Sequence, residues 1–485
     1  MGRPSALIEH LLRRAAFGAT PAERDRYDGM EYFEAVSRLV DYDPATTDID
    51  DKIGTPGYVG ITAAGRFSPN QVINDARQRW LFRMVHSPAP LQEKMALVWH
   101  NHFATAFSKI SGIVEAAQAT RMMAAKPSED SARARGQVEL FRQYALGNFK
   151  DLLVEVAKDP AMLVWLDGRT NKKGAPQENF GRELMELFTF GVANYVETDV
   201  YAAARVFTGW NLTTVGVSGM ADFYYAFNYD AAQHDTNAKD FSFPIYSTGT
   251  KRIPARAASA GMQDGLDLIN ALAFHPETAK RMARLLWVWF VSETSDPEPD
   301  FIRNVADVYL NSGTNMKATV RAVLVSPQFM DSSHFYSRYS WPAEYVVRML
   351  KEVGYLGFSV NGALLPMLNM GQQLFEPPDV AGWDLGPEWF STGSMLARMN
   401  FARDVALNQK FALREAARPA KATPQALVGF AVDRLSMPSL APEVYNTLID
   451  YVRAGGNWVG SEAQLLNKAG GVFHLLTGAG EYQFV

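Results

Sequence analysis

The segment Glu178 to Phe190 gathers the side chains best suited to chemistry. At about 100° per residue, Asn179, Arg182, Glu183 and Glu186 fall within one arc of a helix, and Phe180, Leu184, Leu187 and Phe188 fall on the other. Two carboxylates a turn apart beside a guanidinium can hold a divalent cation or divide acid and base roles between them. The same stripe is also what a solvated face laced with i to i+4 charge pairs looks like. A second pair of groups lies upstream, in Trp99-His100-Asn101-His102-Phe103. On a helix, His100 and His102 stand about 200° apart and do not share one ion, whereas metal ligands on a helix want i, i+3 or i, i+4. Two outcomes stay open. If the helix continues, His102 joins the apolar arc of Leu91, Met95, Val98 and Trp99, and His100 points with Glu93. If it ends near Trp99, both imidazoles enter one pocket with Glu183 or Glu186.

The candidate catalytic groups are therefore Glu183, Glu186, Arg182 and His102, and the candidate ligands of a divalent metal are Glu183, Glu186, His100 and His102. Candidate substrate contacts are Asn179, Arg205, Trp210, Trp383 and Asp379. Arg205 precedes Thr208-Gly209-Trp210 at a helix end, where it can clamp an anion or pair with a carboxylate. Pro377-Pro378 removes two backbone donors and holds Glu376 extended, so Phe375 to Trp383 is a stiff turn presenting Glu376, Asp379 and Trp383. An aromatic ring on such a turn suits stacking on a sugar or peptide, or fills core. His234-Asp235-Thr236-Asn237 is polar but lacks ligand spacing.

The elements that must position these groups read as helices. Thr20-Pro21-Ala22-Glu23 is a capping box, Asp159-Pro160 and Ser326-Pro327 are further helix starts, and Gly209 is a natural helix stop. Apolar residues recur at helical period from Leu7 to Ala15, Val72 to Val85, Leu91 to Phe103, Val138 to Leu146 and Phe149 to Ala157. They do so again in Glu178 to Phe190, Asp199 to Phe207, Leu266 to Phe274, Glu277 to Val291, Phe301 to Leu310 and Ala318 to Val325. Four more such stretches are Pro342 to Val353, Met395 to Ala406, Pro424 to Leu435 and Val444 to Val452. With no alternating strands between them, these elements predict an all-α fold, a large multi-helix bundle-like domain with long loops. Asp43 to Pro69 reads as a surface excursion. Asn211 to Ile253 alternates, with Phe223, Tyr225 and Phe227 on one side of a strand, and predicts a small inserted β-hairpin. Both are candidate walls of a binding site. The main domain is expected over 1–410, with Ala412 to Thr423 linking it to a helical subdomain over 411–485.

Three blocks in this order and spacing carry a family resemblance: Trp99 to Phe103; Trp165-Leu166-Asp167-Gly168 through Glu178 to Thr189 to Phe207-Thr208-Gly209-Trp210; and Leu374 to Trp383. With the opening His10 to Gly18, they resemble the bacterial family catalogued as domain of unknown function 1800, over nearly the whole chain. The resemblance implies no settled activity. It implies an exported location for many members and a sulfatase-like companion protein as partner.

Composition excludes several classes. The 47 Lys plus Arg against 52 Asp plus Glu leave a net charge of −5, without the basic footprint of a nucleic-acid binder. There is no cysteine, which removes disulfides, thiolate metal sites and cysteine nucleophiles. No window reaches the roughly 18 apolar residues of a membrane span, and Met1 to Thr20 reads as an amphipathic helix instead of an export signal. A soluble chain is expected, cytoplasmic or the mature form of an exported protein. Walker, Gly-x-Ser-x-Gly and His-Glu-x-x-His signatures are absent. Two functions are expected in competition: a helical enzyme with a Glu, His and Arg cleft, aided by a divalent metal, or a non-catalytic binding or assembly protein that recognises a glycan, a peptide or the companion protein.

Overall fold

Caps start the helices where the sequence places them. In the computed structural model, which describes residues 4–485, Thr20 Oγ1 accepts from the Glu23 amide at 3.2 Å and Glu23 Oε2 accepts from the Thr20 amide at 2.7 Å, opening the Pro21–Tyr27 helix. Asp159 and Ser326 cap Pro160–Trp165 and Pro327–Met330, each with proline at the first helical position. Among the described residues the structure is 58% helical, with two two-stranded sheets, so the fold is mainly all-α. Every periodic stretch named above contains a helix, and the expected hairpin is β1 (Trp210–Val215) against β2 (Tyr224–Tyr229), antiparallel with Trp210 opposite Tyr229. Gly209 turns the chain from helix to hairpin at φ 83°, where a Cβ would lie 2.5 Å from the Asp230 carbonyl oxygen.

Three helices form the centre: Ile73–His86, Pro90–His102 and Pro342–Glu352, each buried on nearly all sides although each carries charges. Those charges are paired inside. Arg83 meets Asp50 and Glu139, both at 2.5 Å, Arg142 meets Glu93 at 2.8 Å, and Glu344 takes both Lys94 and Arg338.

The segment expected as a linker is helical: Lys410–Ala417 runs through it, followed by a turn at Arg418–Ala420. The helices beyond it share the core through Leu427, Leu465, Val472 and Phe473. The chain end is tied in as well, with Tyr482 Oη donating to Glu352 at 2.8 Å and the Val485 amide to the Arg338 carbonyl at 2.9 Å. Among the described residues, no helix is long and apolar enough to cross a membrane.

Candidate functional site

The acidic stripe lies on the Asn179–Glu186 helix, shorter than its periodicity predicts. Thr189 Oγ1 donates to the Leu184 carbonyl at 2.5 Å and the Gly191 amide, at φ 84°, donates to the Met185 carbonyl at 2.9 Å, so the backbone turns away after Glu186. Of the stripe, Asn179 is exposed and Arg182, Glu183 and Glu186 are half-buried. Asn179 Nδ2 donates to Asp167 at 2.9 Å, and Arg182 is shared by Glu197 at 2.6 Å and Glu178 at 3.3 Å. This is the charge-laced surface reading, worth under about 1 kcal/mol per pair. Glu183 is half-buried, and burial followed by the neighbouring Glu186 charge raises its pKa. Glu186 accepts from Tyr195 Oη at 2.5 Å.

The two imidazoles part company because the helix continues to His102. His100 Nε2 accepts from the Phe375 amide at 3.1 Å, and the ring packs against Trp80 and Trp383. Glu93, one heptad earlier, accepts from Trp80 Nε1 at 3.2 Å, as the shared direction of the two residues predicts. Burial takes the His100 pKa down to about 3. His102 Nε2 lies 3.0 Å from the Phe188 carbonyl oxygen, an acceptor, so this nitrogen carries the proton. The expected metal set of Glu183, Glu186, His100 and His102 is thus not assembled. Among the described residues, no group of three or more His, Asp and Glu side chains could hold an ion.

The expected substrate contacts also scatter. Arg205 is consumed by Asp235 at 2.8 Å and the Ala238 carbonyl at 3.1 Å. Trp210 is 1% exposed and packs on Phe207 and Phe227 as core. Asp379 Oδ1 accepts from the Ala381 amide at 2.8 Å, which shapes its own turn. Asn179 stays on the surface. Trp383 differs, because it walls a hollow.

That hollow, of about 280 Å³, is where His102 and Trp383 meet. Its apolar walls include Leu187, Leu285, Val288, Trp289 and Leu385, and its cationic groups are Arg281 and Arg284. Four segments build it, one of them contributing only Leu187, just past the Asn179–Glu186 helix. The end of Pro90–His102 supplies Asn101 and His102, and Asn101 Oδ1 accepts from the Trp383 amide at 2.7 Å, which locks the proline-stiffened turn in place. Gly382, at φ 91°, allows that approach, since a Cβ there would fall 2.5 Å from the Asn101 carbonyl oxygen. The Pro276–Leu286 helix supplies both arginines and then widens into a π turn at Trp287–Val291, which carries Val288 and Trp289 inward.

The Arg281 guanidinium has no hydrogen bond or ion pair within contact distance among the described residues. It feels the Glu186 carboxylate through space, and burial lowers its pKa. It is the link between the acidic stripe and His102, because the same guanidinium, after burial itself, depresses His102 to about 3. Gly191 makes room for it: a Cβ there would meet Nη1 at 2.9 Å. Arg281 and Arg284 escaped the sequence reading. Their only signal is two arginines i to i+3 on an amphipathic helix, which is a common surface pattern.

No curated protein and no solved structure matches the chain. Residues 10–484 match the model of the family described as protein of unknown function (DUF1800), and the chain belongs to that family.

Proposed function

We propose that this protein is a binding protein whose hollow at Arg281 takes a small ligand with an anionic group on an apolar body. The observation that carries this reading is the unpaired guanidinium of Arg281, half-buried among Leu187, Leu285, Val288 and Trp383. A cation without a contact partner in such surroundings costs free energy in the empty protein, and a ligand carboxylate or similar anion offsets that cost with charge-assisted, bidentate hydrogen bonds. Binding is favoured over acid-base catalysis by the state of the nearby groups. With its pKa near 3, His102 is neutral at physiological pH and a weak base. Glu186 already accepts from Tyr195, and neither Glu183 nor Glu186 lines the hollow.

Benzoate and its neutral counterpart benzyl alcohol test the reading. Benzoate at 100 times its Kd should stabilise the wild type by about 2.7 kcal/mol in thermal unfolding, benzyl alcohol should not, and Arg281→Leu should lose the response while melting no lower than the wild type. Equal responses to both compounds, or an Arg281→Leu variant that melts well below the wild type, would assign Arg281 a structural role and reject the proposal.

A further inference from the structure

The β1–β2 hairpin arches over a second hollow, of about 260 Å³, that shares no residue with the first. Its walls include Tyr225 and Phe227, which share one face of β2 and are both half-buried. We propose that this hollow binds one ring of an acidic saccharide, a uronate, with the aromatic side chains against the sugar face and Arg133 and Lys158 at its carboxylate.

The walls are held in place before any ligand arrives. Arg121 donates to the carbonyls of Ala221, at 2.8 Å, and Phe223, and is itself fixed by Asp130 at 2.9 Å. Gln118 Nε2 donates to the same Phe223 carbonyl at 3.0 Å. A hairpin of this kind would otherwise flex, and tying its tip to the body spares a ligand the cost of ordering it. The aromatic faces offer what the C–H face of a pyranose needs, a flat apolar surface with polar groups around its edge.

The charge around the hollow selects an acidic ring over a neutral one. Four lining residues are cationic, Arg121, Arg133, Arg135 and Lys158, against two carboxylates, Glu155 and Asp159. Arg121 is neutralised by Asp130 outside the hollow. Glu155 is shared by Arg135 at 2.5 Å and Lys158 at 3.6 Å. The Arg133 amide donates to the Asp130 carbonyl at 3.0 Å, but its exposed guanidinium has no hydrogen bond or ion pair among the described residues, and its backbone sits at φ 55°. Burial pushes the Asp159 pKa up to about 7, so near neutrality this carboxyl is partly protonated and repels a ligand carboxylate little. Asp159 Oδ2 is already engaged by Gln137 Nε2 and the Met162 amide, both at 2.9 Å.

This site stands apart from the Arg281 hollow, and Arg281→Leu serves as the control that separates them. Isothermal titration with trigalacturonate should give saturable binding to the wild type and to Arg281→Leu. Arg133→Asn, which keeps a residue tolerant of the left-handed conformation, should weaken binding at least tenfold, as should Tyr225→Ala. Cellotriose, the neutral probe, should bind at least tenfold more weakly than trigalacturonate. No heat with trigalacturonate, equal binding of cellotriose, displacement by inorganic sulfate at the same concentration as by the uronate, or an unaffected Arg133→Asn would each overturn the proposal.

Discussion

Asp159 does two jobs that pull its proton affinity in opposite directions. As the cap of Pro160–Trp165 it accepts from the Met162 amide, which favours the carboxylate, yet its enclosure favours the acid and wins, moving its pKa from 3.8 to about 7. A folded-state pKa raised in this way means that the native protein holds the proton more tightly than the unfolded chain. The resulting stabilisation is full below about pH 4 and is lost as pH rises towards 7. Asp159→Asn keeps a side-chain oxygen for the cap and removes the titration. Between pH 4 and 7 the stability of the wild type should therefore fall relative to that of the variant, by up to about 4 kcal/mol. Parallel urea-unfolding midpoints for the two proteins across that range would contradict this.

Helical periodicity is a property of contiguous residues, which is why the helix starts at Thr20, Asp159 and Ser326 were legible in the chain. What covers each face was not. The stripe of Asn179, Arg182, Glu183 and Glu186 has the same spacing whether it meets solvent or a cleft, and only the neighbours Glu197 and Tyr195 decided the matter. The Glu462–Gly478 helix was missed because Gly470 and Gly471 interrupt its pattern. They are there for packing, since a Cβ on Gly471 would overlap Tyr451 Oη, 1.7 Å away. Glycines of different use should answer differently to the same change. Gly382→Ala forces a positive φ on alanine and drives a methyl into the Asn101 carbonyl, and should cost about 2 kcal/mol or more and loosen the Trp383 wall. Gly429→Ala, mid-helix with nothing within 4 Å of a new Cβ, should gain about 0.5–1 kcal/mol. Equal denaturation midpoints for the two variants would refute this account of the turn.

At the scale of the whole molecule, the core is held together by carboxylates that serve more than one cation. Glu344 is fully enclosed with Lys94 and with Arg338, whose Nη1 lies at 2.5 Å, and the next carboxylate, Glu293, is 3.6 Å from Arg338. Glu344→Leu leaves two buried cations short of a partner and should cost about 3–5 kcal/mol. Lys94→Met leaves Glu344 still paired with Arg338 and removes an ammonium whose charged form burial already disfavours, so its cost should be the smaller of the two. Denaturant unfolding that ranks Lys94→Met as the more damaging change would contradict this reading of the network.

The chain by itself determined its helical class, its caps and its hairpin, because each follows from spacing within a dozen or so residues, whereas the parting of His100 from His102 waited on where their helix ends. The tertiary structure alone decided that Trp210 is core, that Arg205 belongs to Asp235, and that Arg281, about a hundred residues after Glu186, stands beside it without a contact partner. A charge declares its purpose through what surrounds it, and those surroundings come from parts of the chain that only folding brings together.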